Sequence, residues 1–313
     1  MRLNRKLMVG ALTVALAAAA LAGCGSSSQS GDPNGGMEGM EGMSMSGEGD
    51  STGGRSMDSG DSMPGMQMDG NTMQGMAPLA PGADGTSASA DGLTLRIETP
   101  ELSAGRPSDW TLEVLDSEGM PVTEFERDQT KLMHLIVVRD DFTGYQHLHP
   151  VLNSKGEFKL PVTLAQPGTY RAIADFTTGA KRYPLGVDVT VPGRVQQVPL
   201  PLPSRRATVD GYTVTLADGS MAAGSEERLT FTVERAGEPV TGLQTYLGAY
   251  GHLVALRKPD LAYSHIHPVA HDAEAGTITF DATFPSAGTF RLFLQFRAER
   301  AVHTVAFTAD VMK

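Results

Sequence analysis

Cysteine is almost absent from this chain, because Cys24 is the only one among 313 residues. A single cysteine cannot form an internal disulfide, and the residues beyond it offer no thiolate to a metal. Blue-copper electron transfer requires a cysteine thiolate on the metal, so this function is excluded whatever the fold is.

Positive charge is also scarce. The chain has 25 Lys and Arg against 36 Asp and Glu, which gives a net charge of −11. This balance argues against a nucleic-acid partner and favours solubility and attraction of cations.

Paired catalytic carboxylates and a nucleophile elbow are likewise missing, so we do not expect an enzyme.

The one long apolar run lies at the start. A basic beginning is followed by "LMVGALTVALAAAALAGC", whose apolar part is too short and too rich in alanine for a permanent span. Its end, Leu21–Cys24, resembles the bacterial lipoprotein box, in which the cysteine is lipidated. We interpret residues 1–24 as a lipoprotein signal peptide, with Cys24 as the lipidation site. An extracytoplasmic, membrane-anchored location follows from this interpretation.

Residues 25–90 are rich in Gly, Ser, acidic residues and Met, and have little to bury, so we expect disorder. The thioether is a soft donor that favours Cu(I), and neighbouring methionines two or three positions apart can surround one ion. The alternative is a spacer of low complexity. The candidate Cu(I) ligands are Met37, Met40, Met43, Met45, Met57, Met63, Met66, Met68, Met73 and Met76.

The rest of the chain repeats itself. "YQHLHP" from Tyr145 matches "YSHIHP" from Tyr263, and each phrase follows an earlier histidine, His134 or His252, at the same spacing. Further pairs, such as "GTYRAIADF" and "GTFRLFLQF", extend the match. Two copies of one domain of about a hundred residues are therefore expected.

Each copy consists of short alternating strands separated by Gly, Pro and Asp turns, without a helical period. About seven short strands at this spacing indicate a β-sandwich. The predicted fold class is all-β, with two tandem Ig-like or cupredoxin-like sandwiches. The predicted domains are residues 91–192 and 206–313, joined by a Pro-rich linker at 193–205.

The histidines predict a metal site. Residues at i and i+2 of a strand share a face. If the flanking segments pair as a hairpin, His134 lies opposite His149, and His252 opposite His267. Three imidazoles then converge in each domain, a good ligand set for Cu(II) or Zn(II). The predicted ligands are His134, His147, His149, His252, His265 and His267. The alternative is a set of buried, hydrogen-bonded structural histidines, since their strand face looks like core.

Three weaker metal-ligand candidates lie in the second copy. His271 follows the second motif in the next loop, and His303 aligns with Tyr183 of the first copy. Tyr250 shares the strand face of His252. The two histidines are more typical of solvated surface residues.

The framework "GHLVALR…YSHIHP…GTFRLFLQF…VHTVAFTADV" resembles a family of secreted, actinobacterial-type proteins with tandem HxHP domains. The resemblance implies extracytoplasmic copper or heavy-metal handling. The leading hypothesis is a lipid-anchored copper-binding protein that sequesters, buffers or delivers the metal. Its partners would be metal ions, the membrane, and a copper transporter or oxidase. The alternatives are a structural or adhesive module without metal, and a zinc-binding protein.

Overall fold

Residues 77–313 are described by the structure, a computed structural model, except for the side chain of His265. All regular structure in this part of the chain is β-strand, arranged as two antiparallel sandwiches. The prediction of two tandem all-β domains is therefore confirmed. No helix in the described part is long and apolar enough to cross a membrane.

The first sandwich has one sheet in the order β1-β2-β3-β7-β6 and a second in the order β5-β4-β8-β9. Its strands are β1 (Ser89–Ala90), β2 (Leu93–Glu98), β3 (Pro107–Leu115), β4 (Met133–Arg139), β5 (Gln146–Leu148), β6 (Val151–Leu152), β7 (Glu157–Thr163), β8 (Gly168–Thr178) and β9 (Lys181–Val191).

The second sandwich repeats this plan, with sheets in the orders β10-β11-β12-β17-β16 and β15-β14-β18-β19, and β13 paired with β12. Its strands are β10 (Arg206–Val209), β11 (Tyr212–Leu216), β12 (Glu226–Arg235), β13 (Glu238–Pro239), β14 (Gly251–Arg257), β15 (Tyr263–Ile266), β16 (Pro268–Asp272), β17 (Thr277–Thr283), β18 (Gly288–Ala298) and β19 (Ala301–Val311).

The central strand β4 is buried along its whole length. A strand with one face in solvent would alternate between buried and exposed residues, so both faces of β4 are covered. Leu135 and Val137 belong to the core of the first sandwich. Ile136 and Val138 point to the other face, where they join an apolar cluster with Val254 and other residues of the second sandwich. Strand β14 is arranged in the same way, so one sheet of the first sandwich packs against one sheet of the second.

This interdomain cluster is closed by aromatic side chains. Tyr145 of the first sandwich stacks on Phe293 of the second, with ring centroids 4.0 Å apart and planes 8° from parallel. The Tyr263 hydroxyl donates a hydrogen bond of 2.9 Å to Asp175 Oδ2 across the same interface. Burial of both faces explains why the histidine strands look like core in the sequence.

The prediction of disorder over residues 25–90 is wrong for residues 77–90, which are held by both domains. Ala80 N donates to Arg182 O, Gly85 N donates to Pro184 O, and Tyr263 N of the second sandwich donates to Asp84 O. The predicted linker is also fixed: Val198 N donates to the carboxylate of Asp141 at 2.9 Å. The connections therefore help to set the position of one sandwich against the other.

Each HxHP motif ends where the chain leaves one sheet for the other. After Leu148 of β5 the chain passes through Pro150 and begins β6 in the opposite sheet, and Pro268 begins β16 in the same way. Proline has no N–H to give to a ladder, so it belongs at such a corner. His149 and His267 therefore lie at the corners where the chain changes sheet.

Candidate metal site between the two domains

The hairpins have the register that the sequence predicts. Leu135 pairs with Leu148 in the first domain, and Leu253 pairs with Ile266 in the second. Continued by one residue, this register places His134 opposite His149 and His252 opposite His267. The turn of the second hairpin is closed in this register by the bond from Arg257 N to Ala262 O.

Three imidazoles of the first domain converge. His134, His147 and His149 each offer a nitrogen, and these nitrogens lie within 4.8 Å of one another. The ring centroids are 5.1 Å apart for His134 and His147, 5.0 Å for His134 and His149, and 4.7 Å for His147 and His149. In the described part of the chain this is the one group of three or more His, Cys, Asp or Glu side chains with such spacing.

Hydrogen bonds hold the two more buried rings of this group. His134 Nε2 lies 3.1 Å from Asp128 O, which can only accept, so this nitrogen carries a proton. His147 Nδ1 lies 2.8 Å from Gln295 Oε1. His134 Nδ1 and His147 Nε2 lie 2.9 Å apart, which is a hydrogen-bond distance.

The third ring of this group adds an unused donor. His149 Nε2 is buried and has no hydrogen-bond partner among the described residues. Burial lowers the pKa of His149 to about 3, and burial also lowers the pKa of His134. Both rings are therefore neutral at pH 7, the form in which imidazole binds a metal.

The second domain brings His252 beside this group. Its ring centroid is 5.8 Å from that of His147, and it is 1% exposed. His252 Nε2 donates to Tyr246 O at 2.7 Å, and Nδ1 is buried without a hydrogen-bond partner in the described part of the molecule. Burial lowers the pKa of His252 to about 4, so this ring is neutral as well.

His267 also crosses the interface, with Nε2 3.3 Å from Asp128 Oδ2. The side chain of the remaining predicted ligand, His265, lies outside the described part of the structure. The expected patch of the first domain is present, because His134, His147 and His149 converge. The faces that carry the two motifs are packed against each other, so His252 and His267 of the second domain lie beside this patch and form one histidine cluster with it.

The weaker candidates have other partners. His271 stacks on Tyr250, with ring centroids 3.5 Å apart. His303 Nδ1 lies 2.8 Å from Asp210 Oδ2, and its ring packs against Phe296 inside the second domain. The structure therefore does not bring these three side chains into the cluster.

Three residues of the cluster were not predicted. Asp128 and Tyr246 each accept a histidine N–H through the backbone carbonyl. Every residue has this group, so the residue type does not reveal the contact. Each stands six positions before its histidine and pairs with the residue three positions on, Lys131 or Ala249. Gln295 could have been found, because it pairs with His252 in the register and stands where the first copy has Asp175.

The other predicted elements lie outside the described residues. They are the signal segment at residues 1–24, Cys24, and all ten methionines of the Met-rich segment.

The described cluster has the chemistry of a metal site. Nitrogens of His134, His147 and His149 converge, while the other nitrogen of His134 lies beside the oxygen of Asp128 and that of His147 beside the oxygen of Gln295. Metal-binding histidines are held in this way in proteins of many kinds.

Comparison with known proteins gives a family match over both domains. A family model described as a domain of unknown function (DUF8832) matches residues 88–193 and again residues 207–313. No curated protein matches the chain. The family description names no ligand or activity.

Several solved structures are similar to this chain at low identity. The Escherichia coli adhesin FdeC is 16% identical, with 72% of this chain and 67% of that chain covered and a TM-score of 0.24. InvD of Yersinia pseudotuberculosis is 18% identical, with 71% and 58% covered and a TM-score of 0.24. A Salmonella alpha-2-macroglobulin is 13% identical, with 74% and 15% covered and a TM-score of 0.26. This chain thus spans 58% of the InvD chain and a small part of the macroglobulin.

Proposed function

Starting from a chain that belongs to the DUF8832 family and carries its domain twice, we propose an extracytoplasmic, lipid-anchored copper-binding protein. Cu(II) would bind at the histidine cluster. The observation that carries the proposal is the convergence of His134, His147 and His149, whose nitrogens lie within 4.8 Å of one another. Of these, His149 Nε2 is buried and has no hydrogen-bond partner among the described residues.

Neutral imidazole nitrogens suit both Cu(II) and Zn(II). Copper is proposed because the methionines of the segment before the first domain suit the same element as Cu(I). Zinc is the alternative ion.

The Met-rich segment at residues 25–90 completes the proposal. Its methionines would bind Cu(I), for which thioethers are suitable ligands. A chain with ligands for both oxidation states could sequester, buffer or deliver copper outside the cell. A copper transporter or oxidase would be its partner in delivery.

Metal titration tests the histidine part of the proposal. Residues 25–313, prepared without metal, should bind Cu(II) stoichiometrically, and His147→Ala should abolish or strongly weaken this binding. His271→Ala is the matched control, because it removes a histidine outside the cluster and should change nothing. Equal binding by the His147→Ala variant would refute the proposal. Deletion of residues 37–76 should weaken Cu(I) binding and leave Cu(II) binding intact.

A structural or adhesive module without metal is the second candidate. It is favoured by the apolar interface of Ile136, Val254, Phe293 and their neighbours, which can hold the two sandwiches together without any ion. This function predicts no stoichiometric metal in the parent chain. The same titration therefore separates the two candidates.

A further inference from the structure

The histidine group of the first domain is almost closed off from solvent. His134 is 1% exposed and His147 is 8% exposed, and the Nε2 atom of His149 is buried. A hydrated ion cannot reach nitrogens that are covered in this way, and a bound ion cannot leave past the same cover. Metal exchange at this group therefore requires a part of the structure to move.

The second domain supplies much of this cover. Gln295 Oε1 lies 2.8 Å from His147 Nδ1, and the ring centroid of His252 lies 5.8 Å from that of His147. The ring of Tyr246 meets that of His149 edge-on, with centroids 6.4 Å apart. These contacts come from strand β18, from strand β14 and from the turn before β14. Three separate segments of the second domain therefore lie against the group.

The interface between the sandwiches is easier to open than the sheet that carries the histidines. Strand β4, with His134, is paired along its whole length with β8 and on its other side with β5. The sandwiches are joined mainly by side chains, in the apolar cluster around Phe293 and in the bond from Tyr263 to Asp175. Even the short edge strand β5 is held by this interface, because Tyr145 before it stacks on Phe293. Parting the sandwiches breaks fewer backbone hydrogen bonds than peeling β4 from its sheet, so the interface opens first.

We propose that the interface between the two sandwiches is the gate of the metal site. The ion enters and leaves the group of His134, His147 and His149 while the sandwiches are parted, and their closure slows both steps. This regulation rests on the proposed function, since it concerns the same site. The second domain acts as a cover, so the gate depends on its packing and not on a ligand that it supplies.

A gate of this kind has a kinetic signature. A substitution in the interface, away from the ligands, shifts the opening equilibrium by the same factor with and without metal. Uptake and release should then both become faster, while the affinity for the ion changes little. Loss of a ligand instead speeds release and lowers the affinity. In the parent chain, release into a chelator should reach a rate that more chelator does not increase, because opening then limits it.

The test compares Phe293→Leu with Phe231→Leu in residues 25–313. Both variants replace a buried Phe, but Phe293 stacks on Tyr145 in the interface, whereas Phe231 lies in the core of the second sandwich. An equilibrium titration first counts the bound Cu(II), and stopped-flow absorbance then follows Cu(II) uptake and its release into excess EDTA. Loss of the aromatic stack should speed both steps about 2–10-fold in Phe293→Leu. Phe231→Leu should keep the rates of the parent chain.

The outcomes separate the gate from the site. Parent rates in Phe293→Leu would overturn the gate, and so would equal acceleration in Phe231→Leu, which would mean that the rates follow general stability. Faster release without faster uptake would also overturn it, because the substitution would then act on the ligands. A variant lacking His134, His147 and His149 gives the background from the rest of the chain. If the parent chain binds no more Cu(II) than this variant, the proposed function itself is refuted, and the gate with it.

Discussion

The packing of the two sandwiches can be tested without metal, through the stack of Tyr145 on Phe293. Phe293 is 4% exposed and belongs to the interdomain cluster, whereas Tyr145 comes from the other domain. Truncation of a buried Phe to Ala costs about 3–5 kcal/mol. A transition temperature should fall by about 2–4 °C per kcal/mol in a chain of this size, so Phe293→Ala should lose about 6–20 °C.

The sharper measurement is a double-mutant cycle. Tyr145→Ala and Phe293→Ala should be combined, and the free energies of unfolding measured in denaturant with a metal chelator present. An aromatic pair contributes about 0.5–1.5 kcal/mol beyond its buried area, so the double variant should be less destabilised than the sum by about that amount.

A matched pair shows whether the coupling is specific. Val302→Ala, on a 39% exposed residue of strand β19, should combine additively with Tyr145→Ala. Distant sites add to within about 0.3–0.5 kcal/mol. If Tyr145 and Phe293 were additive within the same limit, the two rings would not touch in solution, and the second sandwich would not be packed beside the histidines of the first.

Two further variants test the connections. In Asp141, burial alone would raise the pKa, but hydrogen bonds from Arg139 and Thr143 lower it below its usual value. The unfolded chain then binds more protons below about pH 4, so this contribution to stability is complete above that pH and is lost as the pH falls. Asp141→Asn should cost about 3–5 kcal/mol at pH 7, because the buried Arg139 loses its carboxylate partner and keeps only carbonyl acceptors. The stability of the variant should decline less steeply in acid, as measured by denaturant unfolding between pH 7 and pH 3. A variant with the parent's acid dependence would contradict this reasoning. A Cβ on Gly186 would lie 1.9 Å from Gly85 O. Gly186→Ala should therefore displace the segment before β1 and speed amide hydrogen exchange in that segment. Gly219→Ala is the control, because the space around Gly219 is open and the exchange should not change. Unchanged exchange in Gly186→Ala would show that this segment is not packed on β9.

Much of the fold could be predicted from the sequence because strands have a period of two and the repeat occurs twice. The same periodicity fixed the pairing of His134 with His149, since a hairpin with a known turn has one register. What lies on the outer face of β4 could not be predicted. Ile136 and Val138 read as buried, but nothing local says that the covering surface is another copy of the same sheet.

The site was predicted less completely than the fold. The histidines stand out by type and spacing, whereas Asp128 and Tyr246 act through carbonyl groups that every residue has. His303 and His271 share the chemistry of a ligand, yet their partners, Asp210 and the ring of Tyr250, are set by tertiary packing. Residue type therefore identified candidates, and only the packing separated them.

The duplication has a consequence for how this molecule can change. The two halves face each other much as the subunits of a homodimer do, but in a homodimer every substitution appears twice. In this chain, one repeat can be substituted while the other stays unchanged. At matching positions opposite the first histidine of each repeat, one half carries the acid Asp175 and the other the amide Gln295. A pair of identical subunits could not keep both, so duplication within one chain lets an acid stand beside one of these histidines and an amide beside the other.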